Sequence, residues 1–442
     1  YTYRRTTHIS FDEFCMFIFS KLNSIIDVER SCVYSNNDAP LSSFFINSSH
    51  NTYLVGHQLY GKSGVEGYQR ALENGCRCIE IDCWDGAEGP VVTHGHTFIK
   101  NYSFNDIIAV IAKEAFLKSN FPLIISLEMH CNFENRRKVA QEIEKRFGRR
   151  LIITNKDLKD GKLILSELMG KVLIKTSLSL FKTSLPNLNT NQSIYSTDRL
   201  FEITTLYSTK KKDLTKFTPY DILSLNESRM CLLIWDQDKA LDMPRFNKKF
   251  LSRVYPDPTR IASDNFNPVE FWALGCQMIA LNIQSSDEYV LMNKLMFVEN
   301  GDKKAGFVPK PQWLLKKNLE LSSYRYKIEI LSAQILNKDL LDETDYLEIS
   351  FRGHPQDEQR NQKVFVLNFY PNFLHPTVIQ PCEKVHFEVK YTELAFFVFK
   401  ITNNAKLKNI AMVKANCIRP GLRVLCLYDT QLFHNYYSFL LL

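Results

Sequence analysis

The sequence lacks any apolar run long enough to span a membrane, since its longest runs, such as Leu394–Phe399, are of strand length. Its 11 cysteines form no paired framework, and this odd number in 442 residues is typical of a reducing compartment. No second Cys or His pair has zinc spacing. Cys76 and Cys78, which share one face of a predicted strand, are therefore interpreted as core residues.

The chain also lacks a large excess of either charge, with 55 basic and 48 acidic residues and a net charge of +7. This balance is not that of a nucleic-acid-binding protein, so we expect no nucleic-acid partner. It suits an anionic membrane or phosphate ligand, and equally a generic basic surface. Internal repeats and low-complexity segments are absent too, and the length predicts two to four domains.

The pattern along the chain changes at three points. Short apolar runs alternate with amphipathic helical segments over residues 40–177 and again over 199–316, which predicts parallel strands in a single β/α barrel. Residues 178–198, rich in Ser, Thr and Asn, predict a linker. About eight strands over residues 325–442 predict an antiparallel β-sandwich. Residues 1–35 open on a predicted amphipathic helix and contain no complete calcium loop.

Polar residues stand at the ends of the predicted strands in the first third of the chain. They are His50, Asn51, Glu80, Asp82, His94 and Glu128. Carboxylate and amide oxygens suit Ca²⁺ or Mg²⁺, and histidines beside them suit proton transfer on a phosphate ester. Because polar groups at the carboxyl ends of parallel strands are typical of a barrel active site, we interpret the set as one site.

Three other interpretations are compatible with these residues. Glu80 and Asp82, which leave a strand on the same face, can also be solvated residues at a strand end. The His94-Gly95-His96 segment is compatible with a transition metal, although the neighbouring oxygen ligands favour calcium. His96 and His130 are interpreted as structural residues.

Several motifs resemble eukaryotic phosphoinositide-specific phospholipase C. Those similar to its X region are Phe45–Leu54, Gly75–Gly86 and His94–Thr97; those similar to its Y region are Leu251–Pro256, Asn267–Trp272 and Gly306–Pro311. The family order is EF-hands, X, linker, Y and C2. The resemblance, to a small delta-like or zeta-like member, implies an α/β fold: a (β/α)8 TIM-type barrel split into X (40–177) and Y (199–316) halves. An all-β C2 sandwich (325–442) follows, and residues 1–35 are the remnant of the last EF-hand.

The resemblance implies a calcium-dependent enzyme that cleaves phosphatidylinositol phosphates, with the 4,5-bisphosphate as the expected substrate. Diacylglycerol and an inositol phosphate would form through a cyclic phosphate. The implied Ca²⁺ ligands are Asn51, Glu80, Asp82 and Glu128. His50 would stabilise charge on the phosphoryl oxygens, and His94 would act as general acid and then general base. Glu80 or Glu128 would take the hydroxyl proton.

The implied substrate contacts are less complete than the catalytic set. They are Lys175, Ser224, Arg253 and Tyr255, and a second headgroup lysine of the family is replaced by Ser177. Leu59 and Phe98 match an apolar ridge that enters the bilayer. The expected protein is a monomer, cytoplasmic and peripheral at anionic membranes.

The alternative is a catalytically weak, phospholipase-C-like lipid-binding scaffold. The missing lysine favours it, whereas the six intact catalytic and calcium positions oppose it. A third hypothesis, a barrel phosphodiesterase for another glycerophospho compound, is opposed by Ser224, Arg253 and Tyr255. In the sandwich, Asp345 matches one calcium-binding aspartate of the family, but Ile401–Asn404 carries no carboxylate, so calcium is not expected there.

Overall fold

A computed structural model describes residues 9–26, 38–55, 62–93, 101–153, 158, 162–182, 198–209, 216–235, 242–298, 305–334, 345–368, 377–378, 384–404 and 406–442. The chain forms two compact units, one of Val33–Leu319 and one of Tyr1–Cys32 with Glu320–Leu442. In the part of the chain described, no helix has the length and apolar character needed to cross a membrane.

The first unit contains a closed barrel of parallel strands. They are β1 Phe44–Ser49, β2 Cys78–Gly86, β3 Leu123–Met129, β4 Val172–Ser177, β5 Thr204–Thr209, β6 Asp221–Asn226, β7 Leu251–Tyr255 and β8 Met278–Leu281. Each strand pairs in parallel with the next, and β8 pairs with β1. The predicted TIM-type barrel is therefore confirmed.

Helices and short strands surround this barrel. The helices are Val65–Glu73, Phe104–Glu114, Phe133–Phe147, Ser179–Lys182, Arg199–Ile203, Glu227–Trp235, Met243–Asn247, Pro268–Trp272, Glu288–Val298 and Gln312–Leu315; the short strands are Leu54–Val55, Lys62–Ser63, Gly89–Val92, Tyr102–Ser103 and Phe307–Pro309. Gly67 lets its helix approach the segment after β1, since a Cβ there would lie 2.2 Å from the carbonyl oxygen of Thr52.

Successive side chains of each barrel strand point alternately to its two faces, toward the surrounding helices and toward the inside of the barrel. Ile79, Ile81 and Ile125 are buried in one cluster with helix residues such as Ile107 and Ile143. The residues between them on the strands therefore lie on the barrel's inner side. Register then sets the polar residues next to each other: Glu80 beside Ser126, Asp82 beside Glu128, and Ser126 beside Lys175.

The second unit contains an all-β sandwich. Its eight-stranded sheet has the order Phe365–Asn368, Asp345–Arg352, Phe396–Asn403, Lys406–Lys414, Val424–Tyr428, His434–Leu441, Ser332–Gln334, Thr377–Val378, and a second sheet pairs Tyr324–Glu329 with Lys384–Val389. The pairings are antiparallel. Side chains of both sheets, among them Phe387 and Phe399, share one core. The helix Pro355–Arg360 also belongs to this unit.

The N-terminal helix Phe11–Ile18 belongs to the sandwich unit. Ser10 and Glu13 form the capping box that the sequence predicts. Beyond the helix, Phe19 makes an edge contact with Phe439 at 4.9 Å, and Ile25 is part of the sandwich core. Arg423 donates to the Asn23 side chain at 2.6 Å. The segment therefore packs on the sandwich, a long-range contact that its own sequence did not predict.

Candidate active site

A pocket of about 610 Å³ lies at the carboxyl ends of the barrel strands. Its lining comes from the ends of seven strands, β1 to β7. Of the residues predicted for the site, His50, Glu80, Glu128, Lys175, Ser224, Arg253 and Tyr255 line it. The fold therefore brings together residues that are widely separated in the sequence, at the face where barrel enzymes carry their catalytic groups.

Three carboxylates form a cluster beside this pocket. Ligand oxygens of Glu80, Asp82 and Glu128 all lie within 4.8 Å of one another. Burial raises the pKa of Asp82 well above its usual range, and the charges of Glu128 and Glu80 raise it further. Asp82 Oδ1 is buried and has no hydrogen-bond partner among the residues described. An oxygen cluster with an uncompensated buried member fits a hard divalent cation such as Ca²⁺.

Glu80 is held in its ionised form. Arg253 Nη2 lies 2.9 Å from its Oε2, and the backbone N–H of Asn51 donates to the same oxygen at 3.0 Å. Burial alone would raise the pKa of Glu80, but Arg253, His50 and the Asn51 N–H together lower it to about 2. Glu80 therefore carries its charge before any cation binds.

The segment after β1 holds the cluster in place. Asn51 has a φ of +42°, a left-handed conformation that asparagine tolerates better than most residues. The Thr52 hydroxyl accepts the Glu80 N–H at 2.9 Å, and the Tyr53 hydroxyl donates to Asp82 Oδ2 at 2.6 Å. Asn51 is buried and its backbone N–H contacts Glu80, while its role as a fourth oxygen ligand stays a prediction from the sequence.

His50 is oriented by two contacts. Its Nδ1 lies 2.9 Å from Asn282 Oδ1, and a carbonyl oxygen only accepts, so Nδ1 carries a proton. Its ring lies parallel to Tyr255, with centroids 6.0 Å apart. Burial lowers the pKa of His50, whereas the Glu80 charge opposes this shift. Asn282 was not predicted for the site, although it follows β8 as a polar residue at a strand end.

Two buried basic side chains, Lys175 and Arg253, lie next to the carboxylates. Lys175 Nζ donates to Ser126 Oγ at 3.0 Å, and burial, followed by the charge of Arg253, lowers the pKa of Lys175 to about 8. The Arg253 guanidinium lies 5.3 Å from the centre of the Tyr255 ring. Ser224 is the register partner of Arg253. Ser126 was also missed by the sequence analysis, since a serine in an apolar run has no distinctive pattern.

Ser177 occupies the pocket wall two positions beyond Lys175. Its Oγ lies 2.7 Å from Ser179 Oγ. This neutral pair stands where the resemblance expects a second headgroup lysine. His94, Leu59 and Phe98 lie outside the described residues, so the general acid and the membrane ridge stay predictions from the sequence.

In the sandwich, Asp345 contacts a lysine. Asp345 is buried, and Lys408 Nζ lies 2.9 Å from both of its carboxylate oxygens. A fixed ammonium group thus compensates the charge of the one aspartate that matches the family's calcium ligands. We expect Lys408→Met to lower the free energy of unfolding of the sandwich by about 3–5 kcal/mol, because it removes a charged partner of a buried carboxylate.

Hydrogen exchange of the backbone amides in the sandwich strands would measure this loss. Lys406→Met, in the same strand but exposed, is the matched control and should change little. Calcium should not restore the stability of Lys408→Met. Rescue by millimolar calcium would contradict the assignment of Lys408 as the permanent partner of Asp345.

Comparison with known families identifies both barrel halves. Residues 37–177 match the model of phosphatidylinositol-specific phospholipase C, X domain, and residues 198–313 match that of its Y domain. A crystal structure of S. officinalis PLC21 superposes with a TM-score of 0.83 at 26% identity, covering 99% of this chain and 59% of that one.

Curated relatives include both enzymes and a protein named as inactive. A Danio rerio 1-phosphatidylinositol 4,5-bisphosphate phosphodiesterase delta-3-A is 31% identical over 88% of this chain and 55% of its own length. The Homo sapiens inactive phospholipase C-like protein 2 is 30% identical over 90% of this chain and 39% of its own length. The chain thus spans about half the length, or less, of these relatives.

Proposed function

Because this chain belongs to the phosphatidylinositol-specific phospholipase C family, we propose that it is a calcium-dependent phosphodiesterase. It would cleave phosphoinositides, with the 4,5-bisphosphate as the expected lipid, to diacylglycerol and an inositol phosphate. The observation that supports this most is the cluster of Glu80, Asp82 and Glu128, in which Asp82 Oδ1 is buried without a hydrogen bond. The pocket beside the cluster is lined by two buried basic side chains, Lys175 and Arg253.

Asn51, Glu80, Asp82 and Glu128 are the proposed Ca²⁺ ligands. The bound ion would lower the pKa of the inositol 2-hydroxyl and offset phosphate charge. Glu80, with its pKa of about 2, is a weak base, whereas Glu128 is the half-exposed carboxylate on the pocket wall. We therefore propose that Glu128 accepts the proton of the attacking hydroxyl. It is one of the two candidates that the sequence left open.

His50 is proposed to stabilise the phosphoryl oxygens. A phosphodiester anion in the pocket favours the imidazolium form, in which Nδ1–H is held by Asn282 and Nε2–H is available to the substrate. His94 is proposed to protonate the diacylglycerol oxygen as it leaves. It would then remove a proton from the water that opens the cyclic phosphate.

The pocket cations support headgroup binding. Arg253 and Lys175 carry the positive charge that ring phosphates require, and the Tyr255 ring offers a flat surface to the inositol. Leu59 and Phe98 would enter an anionic membrane surface. We retain the proposals of a cytoplasmic, peripheral monomer and of an EF-hand remnant over residues 1–35.

Replacing Ser177 with lysine is expected to shift lipid preference. Ser177 lies two positions beyond Lys175 on the same strand, so a lysine there would leave on the same face and add a charge to the pocket. Release from the 4,5-bisphosphate relative to unphosphorylated phosphatidylinositol should rise roughly tenfold, the equivalent of one charge-assisted contact. Competition between the two lipids in mixed vesicles measures this ratio.

Ser323→Lys is the matched control for this substitution. It adds the same charge on the exposed surface of the sandwich unit, so any general attraction to anionic vesicles appears in both variants. An unchanged lipid ratio in Ser177→Lys would show that Ser177 does not determine headgroup preference.

The alternative function is a lipid-binding scaffold with weak or no catalysis. The likeness to the human inactive phospholipase C-like protein 2 favours it, as does Ser177. On this hypothesis the pocket binds headgroups without cleaving them. Vesicle binding would then persist while no soluble inositol phosphate is released.

Release of soluble inositol phosphate from mixed phosphoinositide vesicles separates these functions. The assay compares buffered calcium with chelator, using the wild type beside His94→Ala. Calcium-dependent release that is lost in His94→Ala supports the enzyme. Intact vesicle binding with no release from any lipid would support the scaffold instead.

A further inference from the structure

Glu128 differs from the other two carboxylates of the cluster. Its side chain is 57% exposed, whereas that of Glu80 is 5% exposed. An exposed glutamate samples several rotamers, and ordering it costs free energy that subtracts from the affinity for a cation. One carboxylate oxygen of Glu128 nevertheless lies within 4.8 Å of an oxygen of Glu80 and an oxygen of Asp82. Some neighbour must therefore favour this rotamer.

The neighbour is His130, which also lines the pocket. Its Nε2 lies 3.4 Å from Glu128 Oε1. His130 directly follows β3, two positions beyond Glu128. A carboxylate only accepts hydrogen bonds, which means that Nε2 must carry the proton for this contact to be favourable.

His130 is itself held from two directions. Its ring is stacked on the Trp84 indole, with centroids 4.0 Å apart and planes at 14°. Its backbone N–H donates to the carbonyl oxygen of Cys83 at 2.8 Å. Both contacts come from β2, the strand that carries Glu80 and Asp82.

The segment after His130 is also hydrogen-bonded to β2. Asp85 accepts the Asn132 N–H at 3.0 Å and the Asn135 side-chain amide at 2.6 Å. The position of the imidazole relative to Glu80 and Asp82 is thus set by β2 at several points, before any contact with Glu128 is counted.

We propose that His130 is a positioning residue: stacked on Trp84, it directs the exposed Glu128 carboxylate toward Glu80 and Asp82. This inference rests on the proposed divalent-cation function of the cluster. It replaces the structural reading of His130 made from the sequence. In this proposal His130 acts through Glu128 and is not itself a ligand of the cation.

Two substitutions test the stacked ring of His130 and its N–H donor one at a time. His130→Phe keeps an aromatic ring for Trp84 and removes the N–H, whereas His130→Gln keeps an N–H donor and removes the ring. Calorimetric titration of the chelator-treated full chain with Ca²⁺ should show a dissociation constant about 10–100-fold higher for His130→Phe, the usual effect of removing a partner of a metal ligand. His130→Gln should recover part of the affinity.

Two further readouts distinguish positioning from damage to the fold. The thermal transition of the metal-free His130→Phe protein should match that of the wild type, and raised calcium should restore its lipid release. In a Glu128→Gln background, His130→Phe should cause no additional loss of affinity, since the group that it orients is already altered.

The outcomes test the inference separately from the function. A wild-type chain that binds no calcium would overturn the proposed metal site itself. Wild-type binding with unchanged affinity in His130→Phe would overturn only the positioning role. Additive losses in the double variant would likewise overturn it, because His130 would then act independently of Glu128.

Discussion

Asp82→Asn should stabilise the metal-free protein and, at the same time, remove most of its lipid release. Asp82 is buried beside Glu80 and Glu128, and its pKa in the folded chain is raised well above the ordinary value. A raised pKa means that the ionised carboxylate destabilises the folded state. The wild-type barrel should therefore lose stability as the pH rises above about 4, the ordinary pKa of aspartate.

The asparagine variant should lose less stability over the same pH range. Its amide oxygen can still accept the Tyr53 hydroxyl, which now contacts Asp82 Oδ2. At neutral pH the thermal transition of the chelated variant should lie above that of the wild type. Calcium should raise the wild-type transition and leave that of the variant unchanged, because a ligand stabilises only a chain that binds it.

The loss of activity in Asp82→Asn should be large. Removing a charged ligand weakens the site for a hard cation, and the reaction depends on that cation in the proposed mechanism. We expect release of inositol phosphate to fall by at least about 100-fold, comparable with the loss of a principal electrostatic contact. Asp106→Asn, an exposed carboxylate at a helix start, is the matched control.

A stabilised Asp82→Asn that keeps full calcium-dependent release would contradict the assignment of Asp82 as a ligand. A destabilised variant would contradict the electrostatic account, in which the three carboxylates repel one another without the ion.

The second large effect is expected for His50→Gln. In the proposed mechanism this side chain donates to the phosphoryl oxygens as negative charge develops, and loss of one such donor in a buried site costs about 10²–10³-fold in rate. Glutamine keeps a polar group near Asn282 but cannot become a cation. Steady-state release at saturating lipid and calcium measures the change.

Calcium affinity and vesicle binding of His50→Gln should stay close to those of the wild type, so the loss should appear in turnover. His386→Gln is the matched control, since His386 is exposed on a strand of the sandwich. Equal activity of His50→Gln and wild type would exclude His50 from the chemistry.

The order of elements, and the placement of the candidate residues at strand ends, were predictable from the sequence, because alternation is a local property. Apolar residues such as Ile79, Ile81, Ile124 and Ile125 identify buried strands from their local pattern. Glu80 and Asp82 share a face in any strand, whatever the strand pairs with. The structure confirms the barrel, and seven of the nine predicted site residues that it describes line one pocket.

Contacts between distant segments were not predictable in this way. Glu80 with Arg253, His50 with Asn282, and Trp84 with His130 depend on how the strands of the closed barrel are staggered. The local sequence pattern carries no information about this stagger, because a strand shows the same alternation in whatever register it pairs.

The sequence by itself determined which residues have the chemistry expected of cation and phosphate ligands, and on which strands they lie. Only the tertiary structure decided which groups compensate one another: Arg253 keeps Glu80 ionised, Asp82 is left with an unbonded oxygen, and Lys408 pairs with Asp345. The reason is physical. Ligand chemistry belongs to the side chain, whereas charge compensation and burial depend on distances that exist only after the chain has closed.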